Sequence, residues 1–154
     1  MKLSKLIAAH IREVYEGNNW TDINIADTVK DVSLEEAVTI TPASRNTIAA
    51  LLYHIKFYIE IVLQRLDGIS PEISDANGFD MPALKSEAEW KKLIDNSHRS
   101  FNKLADAAEN FPEERLNEIT PNGVSSYYKT LHGVVEHAHY HLGQIVILKN
   151  LTRK

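Results

Sequence analysis

An all-α fold is predicted by three features of this sequence. Four long segments, about 2–16, 44–66, 86–111 and 125–151, repeat apolar residues at helical spacing. Each is bounded by residues that start or stop helices. No segment sustains the alternation of a half-buried strand, and no internal repeat or flexible linker divides the 154 residues, so one helical domain over 1–154 is expected.

The elements follow in order. The first long helix runs from Lys2 to Glu16 and stops at Gly17, with an expected inward stripe of Leu3, Leu6, Ile7, His10, Ile11 and Val14. Ser33-Leu34-Glu35-Glu36 is a capping pattern that starts a short extra helix before Pro42, whereas Asn24 to Val32 and Val38 to Thr41 fit helix or strand equally. Ser44 is the expected cap of the second long helix, which closes at Leu66 before Gly68 and Pro71. Nineteen residues follow, from Asp67 to Lys85, enough to carry the chain the length of a bundle and let the second and third long helices run parallel. Ser86, with Glu89 three residues on, opens the third, and Pro112 ends it. Its core stripe reads Trp90, Leu93, Ile94, Phe101, Leu104 and Ala108, with His98 at the flank and no chemistry expected of it. In the last helix Tyr127 and Tyr128 are read as packing. Val135, Val146 and Ile147 lie outside its main stripe and would permit a homodimer through a helix face.

Composition narrows the function. Seventeen basic against twenty-one acidic residues give a net charge of −4 with no Lys/Arg cluster, which argues against nucleic acid and against an anionic membrane surface. The absence of cysteine excludes thiolate metal sites, CxxC redox chemistry and a cysteine nucleophile, so any metal must be held by His, Asp or Glu. The N-terminal stretch has too few apolar residues for a signal-peptide core, and a cytoplasmic location is expected. There is no HExxH, and three residues rather than two separate His132 from Glu136, so the reversed zinc motif is missed. No G-x-S-x-G, phosphate-binding loop, GxGxxG or EF-hand loop occurs.

What remains is histidine. Seven are present, at 10, 54, 98, 132, 137, 139 and 141. On a helical wheel His137 and His141 share one face with Val134, Ile145 and Leu148, while His132, Glu136 and His139 gather roughly opposite, toward solvent. His54 falls with Leu51, Ile55, Tyr58 and Val62, and His10 is a fourth inward candidate. Imidazoles at i and i+4 are about 6 Å apart along the axis and converge on one ion, with a third from a facing helix to complete the set. Three neutral imidazoles suit a divalent metal, zinc or nickel first, with iron, manganese or copper as alternatives, and three protein ligands leave a position for water or substrate. His10 could instead line the pocket as an acid/base group. Gln144 points inward one turn beyond His141, either to bond a ligand imidazole or to fill a gap between helices. No inward carboxylate is placed to act as a base, so the catalytic residues stay unassigned. The buried histidines alone are equally compatible with a plain helical core.

His54 together with the run Glu136-His137-Ala138-His139-Tyr140-His141-Leu142-Gly143-Gln144-Ile145 resembles the DinB-like, or YfiT-like, superfamily. Its members carry one His in the second long helix and a C-terminal H-x-x-x-H-x-G-Q. Trp20, Leu34-Glu35-Glu36-Ala37 and Leu66-Asp67-Gly68 extend the similarity over most of the chain. The resemblance implies a four-helix bundle of up-down-down-up order with a divalent metal bound by His54, His137 and His141. It also implies a small-molecule substrate and a low-molecular-weight thiol or water as nucleophile, in a transferase or hydrolase. The alternative is a non-enzymatic bundle that holds a metal or ligand.

Overall fold

Local sequence sets the helix starts, and the long-range contacts set their order. In the computed structural model of the protein, which describes residues 2–153, the helices are α1 (Leu3–Tyr15), α2 (Ile25–Val29), α3 (Leu34–Val38), α4 (Ile48–Leu66), α5 (Glu87–Glu109) and α6 (Tyr127–Thr152), with a 3-10 turn at Glu113–Arg115. Among the described residues no strand forms, and none of the helices is long and apolar enough to cross a membrane.

Ser33 closes a full capping box with Glu36 at the start of α3. Ser86 accepts from the Glu89 N–H, but the Glu89 carboxylate accepts from the Lys85 N–H instead of returning to Ser86, so the box expected there stays half closed. The ambiguous Asn24 to Val32 stretch contains a short helix because Asn24 caps it from outside, accepting from the Asp27 N–H. Helix α4 begins later than the sequence suggests. Its cap is Thr47, while Ser44 is spent in a tight bridge with Thr41 and its hydroxyl accepts from the Asn46 N–H.

Helix α1 packs on α5 and α6, and α4 packs on α5 and α6. Ser4, Arg12 and Tyr15 of the first helix meet Glu113, Asp106 and Ile94, so α1 and α5 run in opposite senses. Tyr53 and Lys56 share a groove with Leu93 and Asn96, and Glu60 accepts from the Ser100 hydroxyl at 2.9 Å, so α4 and α5 run the same way. A parallel pair needs a return path as long as the helix, which is the purpose of the crossover over residues 67–86. Ile11, Leu52, Ile55, Ile59, Trp90, Phe101, Leu104, Leu131 and Leu142 fill the space between the helices and are buried. Each such side chain contributes about 1.5–3 kcal/mol by leaving water.

Helices α2 and α3 close one end. The Trp90 indole donates to the Val32 carbonyl at 2.8 Å, and the end of α6 is tied there by Lys149 and Arg153 to Asp31 and by Arg153 to Glu36. The guanidinium of Arg153 holds the Glu36 carboxyl at about 2, and Lys149 and Arg153 hold Asp31 at about 2.

Two expected faces need correction. Helix α1 turns Ser4, Ile7, Ala8, Ile11, Val14 and Tyr15 inward, while Leu3, Leu6 and His10 are exposed. Small residues permit close approach to the neighbouring helices, and the Ser4 hydroxyl and N–H both find Glu113, so a polar position takes the place the apolar pattern gave to Leu3. On α6, His132 and His139 are half-buried rather than solvent-facing, because α1 covers that flank. Val135 is taken up by the chain's own core, and only Ile147 of the three extra apolar residues is well exposed.

Candidate metal centre

Helix α4 delivers His54 from the same buried stripe as Leu51, Ile55 and Val62, and α6 delivers His137 and His141 one turn apart. His54 and His141 are buried and His137 is half-buried. The Nε2 atoms of His54 and His141 lie 3.0 and 3.1 Å from Nε2 of His137, and one ring nitrogen from each residue falls within 4.8 Å of the others. Among the described residues this is the one group of three potential ligands that converges so closely.

The second ring nitrogens fix what the first can do. His54 Nδ1 lies 2.8 Å from the backbone carbonyl oxygen of Asn77, which can only accept, so Nδ1 carries the proton and Nε2 keeps its lone pair. His141 Nδ1 stands 2.7 Å from Oε1 of Gln144, and with that oxygen as acceptor its Nε2 is bare as well. Two lone pairs therefore face Nε2 of His137, where a single N–H can satisfy only one. A cation satisfies all three. Nitrogens bound to tetrahedral zinc at about 2.0–2.1 Å sit roughly 3.3 Å apart, close to the 3.0 and 3.1 Å seen here.

Electrostatics favour the neutral form of His137 and His54. Burial pushes the His137 imidazole down to about 4, helped by the charges that His141 and His54 would carry. Burial and then His141 lower His54 as well, against the opposing bond to the Asn77 carbonyl. Unprotonated imidazole is the form that binds metal.

The crossover and the aromatic residues hold the rings in place. Phe79 stacks on His54 with centroids 4.0 Å apart and planes at 12°. Tyr58 tilts against both His54 and His137, at 5.1 and 4.7 Å, and its hydroxyl donates to the Asn77 side-chain carbonyl. His137 Nδ1 is buried without a hydrogen-bond partner, so packing against Tyr58 takes the place of a bond in orienting that ring. Asn77 and Gly78 both adopt positive φ, at 51° and 73°, and a Cβ on Gly78 would come 2.5 Å from the Phe57 ring. Gly78 is therefore what lets the crossover lie flat on α4 and bring the Asn77 carbonyl to His54.

A cleft of about 340 Å³ between α4 and α6 opens the site to solvent, with His137 in its wall beside Tyr58, Val62, Arg65, Lys129 and Glu136. Glu136 is exposed, at the rim. His10 does not reach the cluster. It is exposed on α1, its ring 6.4 Å from that of His132, and the inward position expected for it is not found. His98 stacks on Tyr15 and meets Glu16 at 2.9 Å, far along α5. Asn77, Phe79 and Tyr58 had no place in the sequence-based site. A backbone carbonyl leaves no mark on residue type, and the Asn77-Gly78 pair, a left-handed turn signal in the crossover, was the available clue.

The comparison with known families agrees with this geometry. The family model described as the DinB superfamily matches residues 20–145, a span that includes His54, His137, His141 and Gln144 and leaves out His10. No curated protein matches the chain, and no solved structure does. With most of its length matched, the chain belongs to the DinB superfamily.

Proposed function

We propose that this protein is a metal-dependent enzyme in which His54, His137 and His141 hold a divalent ion, zinc or nickel first, next to a cleft for a small substrate. The observation that carries the reading is the pair of bare Nε2 atoms aimed at a third, each fixed by a hydrogen bond on the far side of its ring. Such an ion, when bound, supplies a lowered pKa for a water or a thiol and polarises a carbonyl, which suits S-transfer from a low-molecular-weight thiol or hydrolysis. The chain's own residues do the rest. The Asn77 carbonyl and Gln144 hold two imidazoles in the metal-binding tautomer, and burial keeps His137 unprotonated near neutrality. Phe79 covers one face of His54 and excludes water from it. The Tyr58 hydroxyl donates to Asn77, which leaves its oxygen free to accept a hydrogen bond from a ligand in the cleft.

The opposed directions of α1 and α5 and the shared direction of α4 and α5 support a four-helix bundle of up-down-down-up order, in one domain. The cleft beside half-buried His137 favours an enzyme over a bundle that holds a metal for stability alone, since closed structural sites use all their coordination positions.

Cobalt(II)-loaded protein mixed with 2-mercaptoethanol provides the test. The expected results are a thiolate-to-cobalt absorption band and faster alkylation of the thiol by monobromobimane than in protein-free solution, both lost in His137→Ala. Cobalt binding without the band, without faster alkylation and without hydrolysis of activated esters would overturn the enzyme reading and leave the non-enzymatic one.

A further inference from the structure

The cleft has a second end. Along α4, Arg65 lies eleven residues beyond His54 and on the far side of Val62, and along α6, Lys129 lies eight residues before His137. At about 1.5 Å per residue these positions are roughly 12–16 Å from the histidines along the helix axes. Arg65 lines the cleft and is half-buried. Its Nε is buried without a hydrogen-bond partner. Among the described residues neither Arg65 nor Lys129 makes an ion pair; Arg45 and Arg99 make none either, but of these three arginines only Arg65 lines the cleft and has a buried nitrogen without a partner. An arginine donor held out of water with nothing to bond costs free energy until an acceptor arrives. The wall beside it is apolar, with Val62 and Val134, and Ser125, Lys129 and Thr130 bring the positive end of the 26-residue α6 to the same place. Glu136, the carboxylate among the lining residues, sits two turns nearer His137.

We propose that Arg65, assisted by Lys129, binds the carboxylate of an elongated small acid whose other end lies at His137. The planar guanidinium fork matches a carboxylate, and a cleft of about 340 Å³ suits a small molecule with an apolar middle against Val62 and Val134. This names a substrate class for the metal site and rests on the proposed metal reading for the ligand's reacting end, while the carboxylate subsite stands on Arg65 alone.

The test follows the Arg65 Nε–H resonance in 15N-labelled, chelator-treated full-length protein, assigned by its loss in Arg65→Lys and Arg65→Met. Hexanoate is expected to shift it saturably and to bind at least about tenfold more tightly than hexanol, the size of one charge-assisted hydrogen bond. That preference should vanish in Arg65→Met and survive in part in Arg65→Lys, whose backbone spectra report whether each variant folds. Equal binding of hexanoate and hexanol by the wild type would overturn the proposal, leaving an apolar cleft. Inorganic phosphate that moves the resonance at tenfold lower concentration than hexanoate would overturn it too, in favour of a phosphate site. A repeat with cobalt-loaded protein separates the two readings. A chain that takes hexanoate but no cobalt loses the metal reading and keeps the carboxylate subsite, and one that takes cobalt but shows no hexanoate preference does the reverse.

Discussion

Helix α6 carries histidines on two flanks, and the flanks differ in how closely their rings converge. On the side facing α4, His137 and His141 meet His54 with nitrogens 3.0–3.1 Å apart, and two of the three rings are fixed from behind by hydrogen bonds. On the side facing α1, His132 and His139 neighbour His10, yet the His10 and His132 rings stand 6.4 Å apart and Nε2 of His132 is buried without a partner. Tyr128 covers His132 at 4.4 Å instead. Density of histidine therefore does not bring ring nitrogens together. Convergence depends on groups behind the rings, the Asn77 carbonyl and Gln144.

Thermal unfolding of the metal-free protein with added zinc separates the two flanks by the largest margin. Zinc at about a hundred times its dissociation constant should stabilise the wild type by about 2.7 kcal/mol. His54→Ala and His137→Ala should lose that gain, while His132→Ala and His10→Ala keep it. Next in size is the support behind the rings. Gln144→Ala, which frees His141 Nδ1, and Gly78→Ala, which forces the crossover off Phe57 and so displaces the Asn77 carbonyl from His54, should each weaken zinc binding about 10- to 100-fold in a competition titration.

An effect of comparable size is expected from pH. In metal-free protein His137 is lowered to about 4 from an ordinary value of 6.5, and His54 and His139 are lowered in the same direction. The unfolded chain then binds more protons than the folded one in this range. Stability is thus fully present above about 6.5 and falls as pH drops through 6.5 toward 4. Melting temperatures in chelator between pH 7.5 and 4.5 should show that decline, and His137→Gln should flatten it more than His139→Gln. The smallest effect belongs to the exposed pair of His98 with Glu16, where His98→Ala should change stability by at most about 1 kcal/mol and leave metal binding untouched. A large loss of metal there would mean that the cluster is coupled to the α1 side after all.

Much of this molecule was legible in its sequence, for identifiable reasons. The long helices of α4, α5 and α6 announce themselves by apolar spacing and by Ser86, Gly68 and Pro112 at their ends. His54, His137 and His141 sit on stripes so regular that phase alone brings them to one side. In helix α1 the pattern places Ile7, Ile11 and Val14 inward, as the structure has them, but misplaces Leu3, Leu6 and His10, because it counts apolar residues and the buried face includes Ser4, bonded to Glu113, and the small Ala8. His132 and His139 were misread because a wheel centred on one apolar stripe cannot show that a second helix covers the opposite flank. The groups behind the histidine cluster divide in the same way. Gln144 is one turn from His141 and follows from helix geometry, whereas the Asn77 carbonyl comes from a crossover whose path no periodicity encodes.

Metal binding is proposed for one face of α6 and not for the other. Elemental mass spectrometry on protein purified without a nickel column tests it most directly, comparing wild type with His54→Ala, His137→Ala, His132→Ala and His139→Ala. A divalent ion equimolar with the chain in the wild type and in His132→Ala and His139→Ala, and absent from His54→Ala and His137→Ala, is the predicted result. An ion retained in His54→Ala and His137→Ala, or none in the wild type even after zinc and nickel have been added and dialysed away, would contradict it.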